Sequence, residues 1–253
     1  MDQSDFVHLQ MELQAIKRKL YAQEAIDRLG LDGELPRGYP QFRSQFGEDM
    51  LAWDMLGNKT CGTYLEVGGF DGKSLSVSYA LDAMGWDGLL IEPIKARFEE
   101  SRKNRPNATH QNYLLGKRGC GGRAELQVVE GLQMFSGASG NKIDFEPAKE
   151  KPIRIESVLT TDLDSALVEA FPDNVQLDLA VIDVEGSECD VLDGFSLDVW
   201  KPRVIIIEDN SFGRDDSMNK YFGDYQLYGI LACNRVYGLR SDPQVWRFMN
   251  PTA

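Results

Sequence analysis

The chain has 253 residues, of which 27 are basic and 40 acidic, so its formal net charge is −13. Nucleic acids and anionic membranes attract lysine and arginine, and this acidic balance argues against both as partners. A content of 42% hydrophobic and 26% charged residues is typical of a soluble globular protein. The spacing of the four cysteines excludes common zinc-finger sites and argues against a disulfide framework. With no secretory signal at the start, we expect a cytoplasmic protein.

The first predicted element is a helix in residues 1–35, which we expect to stand apart from a domain formed by residues 36–253. Apolar residues in this helix alternate at spacings of three and four: Phe6, Leu9, Leu13, Ile16 and Leu20. That spacing is the a/d pattern of a coiled-coil seam. Three interpretations stay open, because the seam covers little more than two heptads. The helix packs on its own domain, joins copies into a homo-oligomer through residues 6–29, or binds another protein.

From residue 63 onward, short apolar runs alternate with helical stretches. The predicted strands are Thr63–Val67, Gly88–Glu92, Thr109–Leu115, Leu177–Asp183, Arg203–Glu208, Tyr225–Leu231 and Asn234–Leu239, with extra strands at Gln127–Glu130 and Ile153–Leu159. The predicted helices are Lys73–Met84, Ile94–Asn104, Asp162–Phe171 and Glu188–Gly194. Such alternation predicts a mostly parallel sheet with helices on both faces. Ligands bind such sheets at the edge where the strands reach their carboxyl ends.

The first of these strands ends in a glycine-rich turn that spans residues 67–72. Glycine lets the backbone approach a ligand closely. The turn is not the dinucleotide fingerprint, which would require glycine at Phe70 and Lys73. A purely structural tight turn is the alternative to a cofactor-binding one.

Carboxylates beside this turn indicate the charge of the ligand. Glu66 and Asp71 flank the turn, and Glu92 ends the next strand at the position where an acid commonly binds ribose hydroxyls. Acids placed here would repel a pyrophosphate, since like charges at about 4 Å interact by roughly 4 kcal/mol at an effective dielectric of 20. S-adenosylmethionine carries an adenosine, a sulfonium and an ammonium group, so it matches all three acids. The sequence therefore favours a methyl donor over a dinucleotide.

Further acids follow the fourth and fifth long strands. Asp183 and Glu185 lie at the end of one strand, and Glu208, Asp209 and Asn210 lie at the end of the other. Gathered like charges cost stability unless a cation or a proton relieves them. Two mechanisms stay open. In the first, Asp183 or Glu208 acts as a base. In the second, Asp183, Glu208, Asp209 and Asn210 hold Mg²⁺ or a similar divalent cation that acidifies a hydroxyl.

Together, these segments resemble the FkbM family of methyltransferases. The resemblance rests on Ser44-Gln45-Phe46-Gly47-Glu48-Asp49, the residues from Glu66 to Gly72, Gly85-Trp86, Ile91-Glu92-Pro93, the residues from Ile182 to Gly186, and Lys201-Pro202 with Ile207-Glu208. It implies a Rossmann-like class I fold, with a seven-stranded sheet whose last strand is antiparallel. It also implies S-adenosylmethionine-dependent O-methylation of a hydroxyl on a sugar, glycan or polyketide-like small molecule. The competing interpretations are a catalytically silent assembly module and an NAD-dependent oxidoreductase.

The resemblance also assigns roles to individual residues. The implied cofactor-binding residues are Glu66, Gly68, Gly69, Asp71, Gly72, Glu92, Asn112 and Asp183. Among them, Glu92 is expected at the ribose and Asn112 at the adenine. The long polar segment 131–151 is predicted to be a substrate lid, with a disordered insertion as the alternative. Predicted substrate or lid residues are Ser44, Gln45, Met134 and Arg214.

Overall fold

The fold was analysed in a computed structural model of the chain. It describes residues 3–30, 41–133, 136–138, 149–173 and 175–252, with side chains from residue 12 onward. The helices are α1 Gln3–Leu29, α2 Glu48–Met55, α3 Tyr79–Ala83, α4 Lys95–Asn104, α5 Leu163–Ala170, α6 Glu188–Asp193, α7 Leu197–Trp200 and α8 Pro243–Met249. The strands are β1 Thr63–Val67, β2 Asp87–Ile91, β3 Thr109–Gln111, β4 Leu114–Gly116, β5 Gly122–Val129, β6 Gly137–Ala138, β7 Ile153–Asp162, β8 Leu179–Ile182, β9 Val204–Glu208, β10 Tyr225–Leu231 and β11 Asn234–Leu239.

Seven strands form the central sheet in the order β10-β11-β9-β8-β1-β2-β3. Neighbours from β3 to β9 are parallel, whereas β11 runs antiparallel to both β9 and β10. The predicted Rossmann-like fold class, including its antiparallel last strand, is confirmed. Strand order reverses between β1 and β8, because the chain leaves β1 through β2 on one side and returns through β8 on the other. A ligand crevice is expected outside the carboxyl ends of these two strands.

Both faces of the central strands are buried. Leu65 and Ile182 belong to the apolar cluster on one face, and Tyr64 and Val181 belong to the cluster on the other. Strands covered on both faces are apolar at consecutive positions, which is why β8 and β9 are recognisable as short apolar runs in the sequence.

A second sheet, in the order β4-β7-β5-β6, packs beside the first. The predicted strand Thr109–Leu115 divides between the two: β3 pairs with β2, whereas β4 pairs with β7. Leu126, Val128 and Val158 of the second sheet bury their side chains with Ile94, at the start of α4. The extra strands of the prediction therefore form a sheet of their own with a small separate core.

The predicted helix Lys73–Met84 is mostly wrong, since only Tyr79–Ala83 is helical. The residues before it wrap around the buried Glu66 carboxylate instead. Ser76 and Ser78 donate their hydroxyls to Glu66, and the Val77 N–H donates to it as well. Three donors on one carboxylate outweigh the hydrogen bonds that another helical turn would supply.

The predicted N-terminal helix is present as α1, and one of its faces packs on the domain. Gln14 and Arg18 donate to backbone carbonyls in the segment before α2. Tyr21 packs against the ring of Trp53 at 6.2 Å, and Ala25 is fully buried. The interpretation that α1 packs on its own domain is therefore confirmed for this face.

None of the described helices combines the length and the apolar character needed to cross a bilayer.

Candidate active site at the carboxyl edge of the sheet

A cavity of about 460 Å³ opens at the carboxyl ends of β1, β2, β8 and β9. Its volume is in the range of small-molecule and cofactor sites. Six carboxylate side chains line it: Glu48, Glu66, Glu92, Asp183, Glu185 and Glu208. No lysine, arginine or histidine lines it among the described residues. A cavity with this charge favours a cationic ligand over an anionic one.

The glycine turn passes directly across the end of β8. Gly68 has a φ of +80°, and a Cβ on it would lie 1.7 Å from the backbone oxygen of Asp183. Gly69 also lines the cavity, but a Cβ there would meet only the side chain of Leu90, at 3.2 Å. Gly72, a predicted cofactor residue, lies outside the cavity lining and packs against Ser101 of α4. The turn thus lies at the cavity as predicted. Of the two glycines that line the cavity, only Gly68 could not be replaced by a larger residue without a clash with the backbone.

Backbone strain is concentrated around the cavity. Seven described residues other than glycine have a positive φ, and five of them line the cavity. These five are Phe70, Leu75, Glu185, Phe212 and Ala232. Such conformations cost of order 1–3 kcal/mol each and are characteristic of functional sites, where the surrounding structure holds them.

Glu66 lines the cavity, but its charge is compensated inside the protein. Its carboxylate accepts from Val77 N at 2.9 Å and from Ser76 Oγ at 2.7 Å. The guanidinium of Arg105 lies 3.5 Å from it and 3.3 Å from the carboxylate of Asp82, and the Arg105 side chain is fully buried. The prediction that Glu66 offers a free negative charge to the cofactor is therefore wrong. Glu66 instead holds the segment that forms one wall of the cavity.

Two other predicted cofactor residues lie outside the cavity lining. Asp71 accepts from the backbone N–H groups of Lys73 and Ser74 at 2.9 and 2.7 Å. Burial alone would raise the pKa of Asp71, yet the hydrogen bonds from Ser74 and Lys73 lower it. Asn112 donates its side-chain amide to the carbonyl of Glu92 at 2.7 Å. Both residues stabilise loops beside the cavity through these hydrogen bonds.

Glu92 occupies the position that the sequence predicts. It is buried, lines the cavity and accepts from the N–H groups of Phe70 and Ile94 at 2.9 and 2.8 Å. Burial raises its pKa to about 8, although these two backbone hydrogen bonds oppose the shift. Each carboxylate oxygen has two lone pairs, so Glu92 retains the capacity to accept from ligand hydroxyls.

Three carboxylates cluster at the ends of β8 and β9. Asp183, Glu185 and Glu208 each place one oxygen within 4.8 Å of the other two. The Asp183 side chain is open to the cavity, although it lies deep beneath the protein surface, whereas Glu208 is only 8% exposed. The predicted pair of Asp183 and Glu208 is therefore brought together. Glu185, which the sequence places at the same edge without naming it as a ligand, joins the pair, because its φ of 53° turns it back toward the strand ends.

The clustered charges destabilise one another. Burial raises the pKa of Glu208, and the neighbouring charges of Asp183, Glu185 and Glu188 raise it further. Burial and the charge of Glu188 likewise raise the pKa of Asp183. The Oε2 atom of Glu208 is buried and has no hydrogen-bond partner among the described residues. Only a proton or a cation relieves such an arrangement.

Asp209, the third predicted metal ligand, is turned away from this cluster. Its carboxylate accepts from Arg235 Nε at 2.6 Å, Gly213 N at 2.7 Å and Ser211 Oγ at 2.5 Å. Burial raises the pKa of Asp209, but the hydrogen bonds from Ser211 and Arg235 outweigh it and lower the value. The predicted ligand set is therefore wrong at Asp209. Asn210, the fourth predicted ligand, does line the cavity.

Only some of the predicted substrate and lid residues line the cavity. Gln45 lines the cavity. Ser44 does not, because its hydroxyl donates to Asp49 at 2.5 Å and stabilises the start of α2. Arg214 is exposed and lies outside the lining. Met134 lies outside the described residues, although Gln133, Ser136 and Gly137 of the same segment do line the cavity.

Sequence reasoning missed Glu48 as a site residue. Its carboxylate is buried, lines the cavity and accepts from Phe46 N and from Asn234 Nδ2, both at 2.8 Å. It thereby joins the start of α2 to β11 across the cavity rim. The signal was present in the segment Ser44–Asp49, where Glu48 precedes an apolar helix, but its partner Asn234 is 186 residues away.

Comparison with known proteins finds a matching family model and similar solved structures. The family model described as the methyltransferase FkbM domain matches residues 66–237. An O-methyltransferase from Bacillus cereus, solved in complex with SAH, is similar over 87% of this chain and 90% of its own, at 9% identity and a TM-score of 0.42. A TehB-like SAM-dependent methyltransferase from Corynebacterium glutamicum is similar over 89% and 99%, at 10% identity and a TM-score of 0.37. Among curated proteins, none matches significantly.

Proposed function

We propose, from the premise that the chain belongs to the FkbM family of S-adenosylmethionine-dependent methyltransferases, that it methylates a hydroxyl group of a sugar, glycan or polyketide-like small molecule. One observation carries this proposal beyond the family assignment. Besides the compensated Glu66, the cavity is lined by five carboxylates and by no basic side chain among the described residues. A cationic donor is attracted to such a cavity, whereas the pyrophosphate of NAD would be repelled.

The two ends of the cavity suit the two parts of the donor. We assign to Glu92 the hydrogen bonds from the ribose hydroxyls, because it lines the cavity and has the spacing from the glycine turn at which an acid commonly has this role. The backbone at Gly68 and Gly69 offers close approach to the methionine part. The cluster of Asp183, Glu185 and Glu208 lies at the end of β8, beside Gly68, where the acceptor has to meet the methyl group.

The proposed reaction is an in-line displacement. The acceptor oxygen attacks the methyl carbon, the bond from that carbon to sulfur breaks, and S-adenosylhomocysteine leaves with the sulfur electron pair. The hydroxyl proton goes to Asp183, whose side chain is open to the cavity and whose pKa is raised by burial and by Glu188. A raised pKa suits a general base, because it brings the group closer to the pH at which it works.

The alternative to Asp183 as the base is a divalent cation such as Mg²⁺, which is the second mechanism within this proposal. Three carboxylates within 4.8 Å of one another and the orphaned Oε2 of Glu208 fit the preference of Mg²⁺ for hard oxygen ligands. Asp183, Glu185 and Glu208 would hold the ion, with Asn210 nearby in the cavity lining. When bound, it would lower the pKa of a coordinated hydroxyl and relieve the repulsion among the three acids.

The test begins with binding and proceeds to turnover. We expect calorimetry to detect S-adenosylhomocysteine but not NADH, and Glu92→Ala to weaken the binding at least tenfold. Glu99→Ala removes the same charge from the exposed surface of α4 and serves as the matched control. Transfer of a labelled methyl group to a panel of hydroxylated acceptors then tests the chemistry, with and without EDTA. Binding without transfer to any acceptor favours the silent module, and NADH binding contradicts the proposal.

A further inference from the structure

The N-terminal helix α1 has two faces with different surroundings. Positions 14, 18, 21 and 25 form the face that packs on the domain, through Gln14, Arg18, Tyr21 and Ala25. If Leu13 is assigned to heptad position a, residues 14 and 21 are b positions and residues 18 and 25 are f positions. The b and f positions lie on the side of the helix away from the a/d edge. The helix is therefore attached to its own domain in a way that leaves the a/d edge directed outward.

The a/d edge in the described part of α1 consists of Leu13, Ile16 and Leu20, which we call the seam. Their side chains are 53%, 54% and 64% exposed. By sequence, the same spacing continues toward the N-terminus at Phe6 and Leu9. Single exposed apolar residues are ordinary, but a periodic row along one helix edge marks an interaction surface.

The charges beside the seam are complementary to those of an identical helix. Glu12 and Lys19 occupy g positions, and Lys17 and Glu24 occupy e positions; all four are exposed. In a parallel pair in register, a g residue meets the e residue five positions later on the partner helix. Glu12 then faces Lys17 of the second copy, and Lys19 faces Glu24. Each helix contributes both members, so the pair contains four attractive contacts and no repulsive one.

We infer that the seam of α1 is the interface of a homodimer, in which two copies of α1 form a short parallel coiled coil. The second copy is the occupant that the observations favour, because both the apolar row and the flanking charges are self-complementary. The packing of α1 on its domain fixes one end of each helix before association, which lowers the conformational entropy lost on pairing. The two domains then lie on opposite sides of the pair, attached through the b and f faces.

The dimer is connected to the cavity through the same helix. Gln14 and Arg18 donate to the carbonyls of Gln45 and Ser44, and Gln45 lines the cavity. The dimer does not depend on the proposed reaction, since none of the three seam residues lines the cavity. Assembly and ligand binding can therefore be measured independently on the same protein.

The experiment uses charge reversal on the full chain, followed by sedimentation equilibrium over a range of concentrations. Variant one carries Lys17→Glu and Lys19→Glu, and variant two carries Glu12→Lys and Glu24→Lys. Each variant alone places like charges at all four contacts, so we expect its dimer dissociation constant to rise at least tenfold. An equimolar mixture restores opposite charges at every contact, so we expect recovery of a dimer near twice 28.4 kDa.

Two controls separate this interface from folding and from general charge effects. Lys103→Glu with Lys117→Glu makes the same change in net charge outside α1 and should leave the dimer intact. Ile16→Asp should give a monomer that binds S-adenosylhomocysteine as the wild type does, because Ile16 is exposed. A wild-type chain that is monomeric at all concentrations contradicts the inference. So does a mixture of the two variants that fails to recover the dimer.

Discussion

The two halves of the cavity use the same residue types in opposite electrostatic states. On the β1/β2 side, Glu66 is neutralised by Arg105, and Glu92 accepts two backbone hydrogen bonds. On the β8/β9 side, Asp183 and Glu208 face one another and Glu185, and Oε2 of Glu208 has no hydrogen-bond partner among the described residues. In the first half, Arg105 compensates Glu66, although burial raises the pKa of Glu92 to about 8. In the second half, three carboxylates repel one another, and a proton or a cation can relieve that repulsion.

This contrast shows that a carboxylate in a cavity wall does not by itself indicate its role. A compensated carboxylate holds the backbone in place and has little tendency to exchange a proton. An uncompensated one stores repulsion that a ligand, a cation or a proton can release. Four experiments test this difference, in order of decreasing expected effect.

Asp183→Asn tests whether the uncompensated half carries the chemistry. The amide keeps the shape of the side chain but cannot accept the acceptor's proton, so turnover should fall roughly 100- to 10,000-fold, the range for loss of a general base. Binding of S-adenosylhomocysteine should stay within about tenfold, which is 1.4 kcal/mol. Asp190→Asn, on the exposed surface of α6, is the control. Undiminished turnover would remove Asp183 from the mechanism.

Arg105→Met tests whether the other half is compensated as described. The substitution leaves Glu66 and Asp82 without their shared cation, and breaking a buried pair in this way costs about 3–5 kcal/mol. Lys95→Met breaks an exposed pair with Glu99, for which we expect less than about 1 kcal/mol. Urea unfolding measures both. Equal losses in the two variants would show that Glu66 does not depend on Arg105.

Gly68→Ala and Gly69→Ala test the turn that joins the two halves. Alanine at position 68 meets the backbone oxygen of Asp183 and has to adopt a φ of +80°, so we expect a loss of about 2–4 kcal/mol in the free energy of unfolding and weaker S-adenosylhomocysteine binding. Alanine at position 69 meets only Leu90, which can move, and should cost less than about 1.5 kcal/mol. A larger loss at position 69 would contradict the geometry of the turn.

Glu208→Gln tests the repulsion between Glu208 and its neighbouring carboxylates, measured as the dependence of stability on pH. The folded-state pKa of Glu208 is raised above its ordinary value of 4.5, so the folded protein binds this proton more tightly than the unfolded chain. Wild-type stability should therefore fall as pH rises from about 4.5 toward the raised pKa. The glutamine variant lacks this pH dependence. Between pH 5 and pH 8, its free energy of unfolding should therefore rise relative to that of the wild type by about 1 kcal/mol or more.

Asp209→Asn is the matched control for that experiment, because its shift has the opposite sign. The pKa of Asp209 is lowered in the folded state, so its contribution to stability is present above the unfolded-state pKa and is lost as the pH falls through the folded-state pKa. The asparagine variant should be less stable than wild type at pH 8, with the difference shrinking in acid. Parallel pH profiles for Glu208→Gln and Asp209→Asn would contradict the contrast between the two carboxylates.

The sequence predicts those site residues whose position depends only on the backbone of a strand and its following turn. Glu92 ends β2 and Asp183 follows β8, and parallel strands bring their carboxyl ends to one edge whatever the loops do. Asp209 also follows a strand, yet Arg235 of β11 draws it away from the cluster. Glu185 also follows β8, but only the folded structure shows the left-handed backbone conformation that brings it into the cluster.

Local patterns in the sequence determined the order of strands and helices, the glycine turn and the apolar edge of α1, because hydrophobic period and glycine freedom act over a few residues. Tertiary structure alone decided which acids are neutralised and which are left to repel one another. Charge compensation depends on partners that the sequence separates widely, such as Arg105 for Glu66 and Arg235 for Asp209. Only folding brings such partners within a few ångströms, the range over which they change a carboxylate from a structural element into a reactive one.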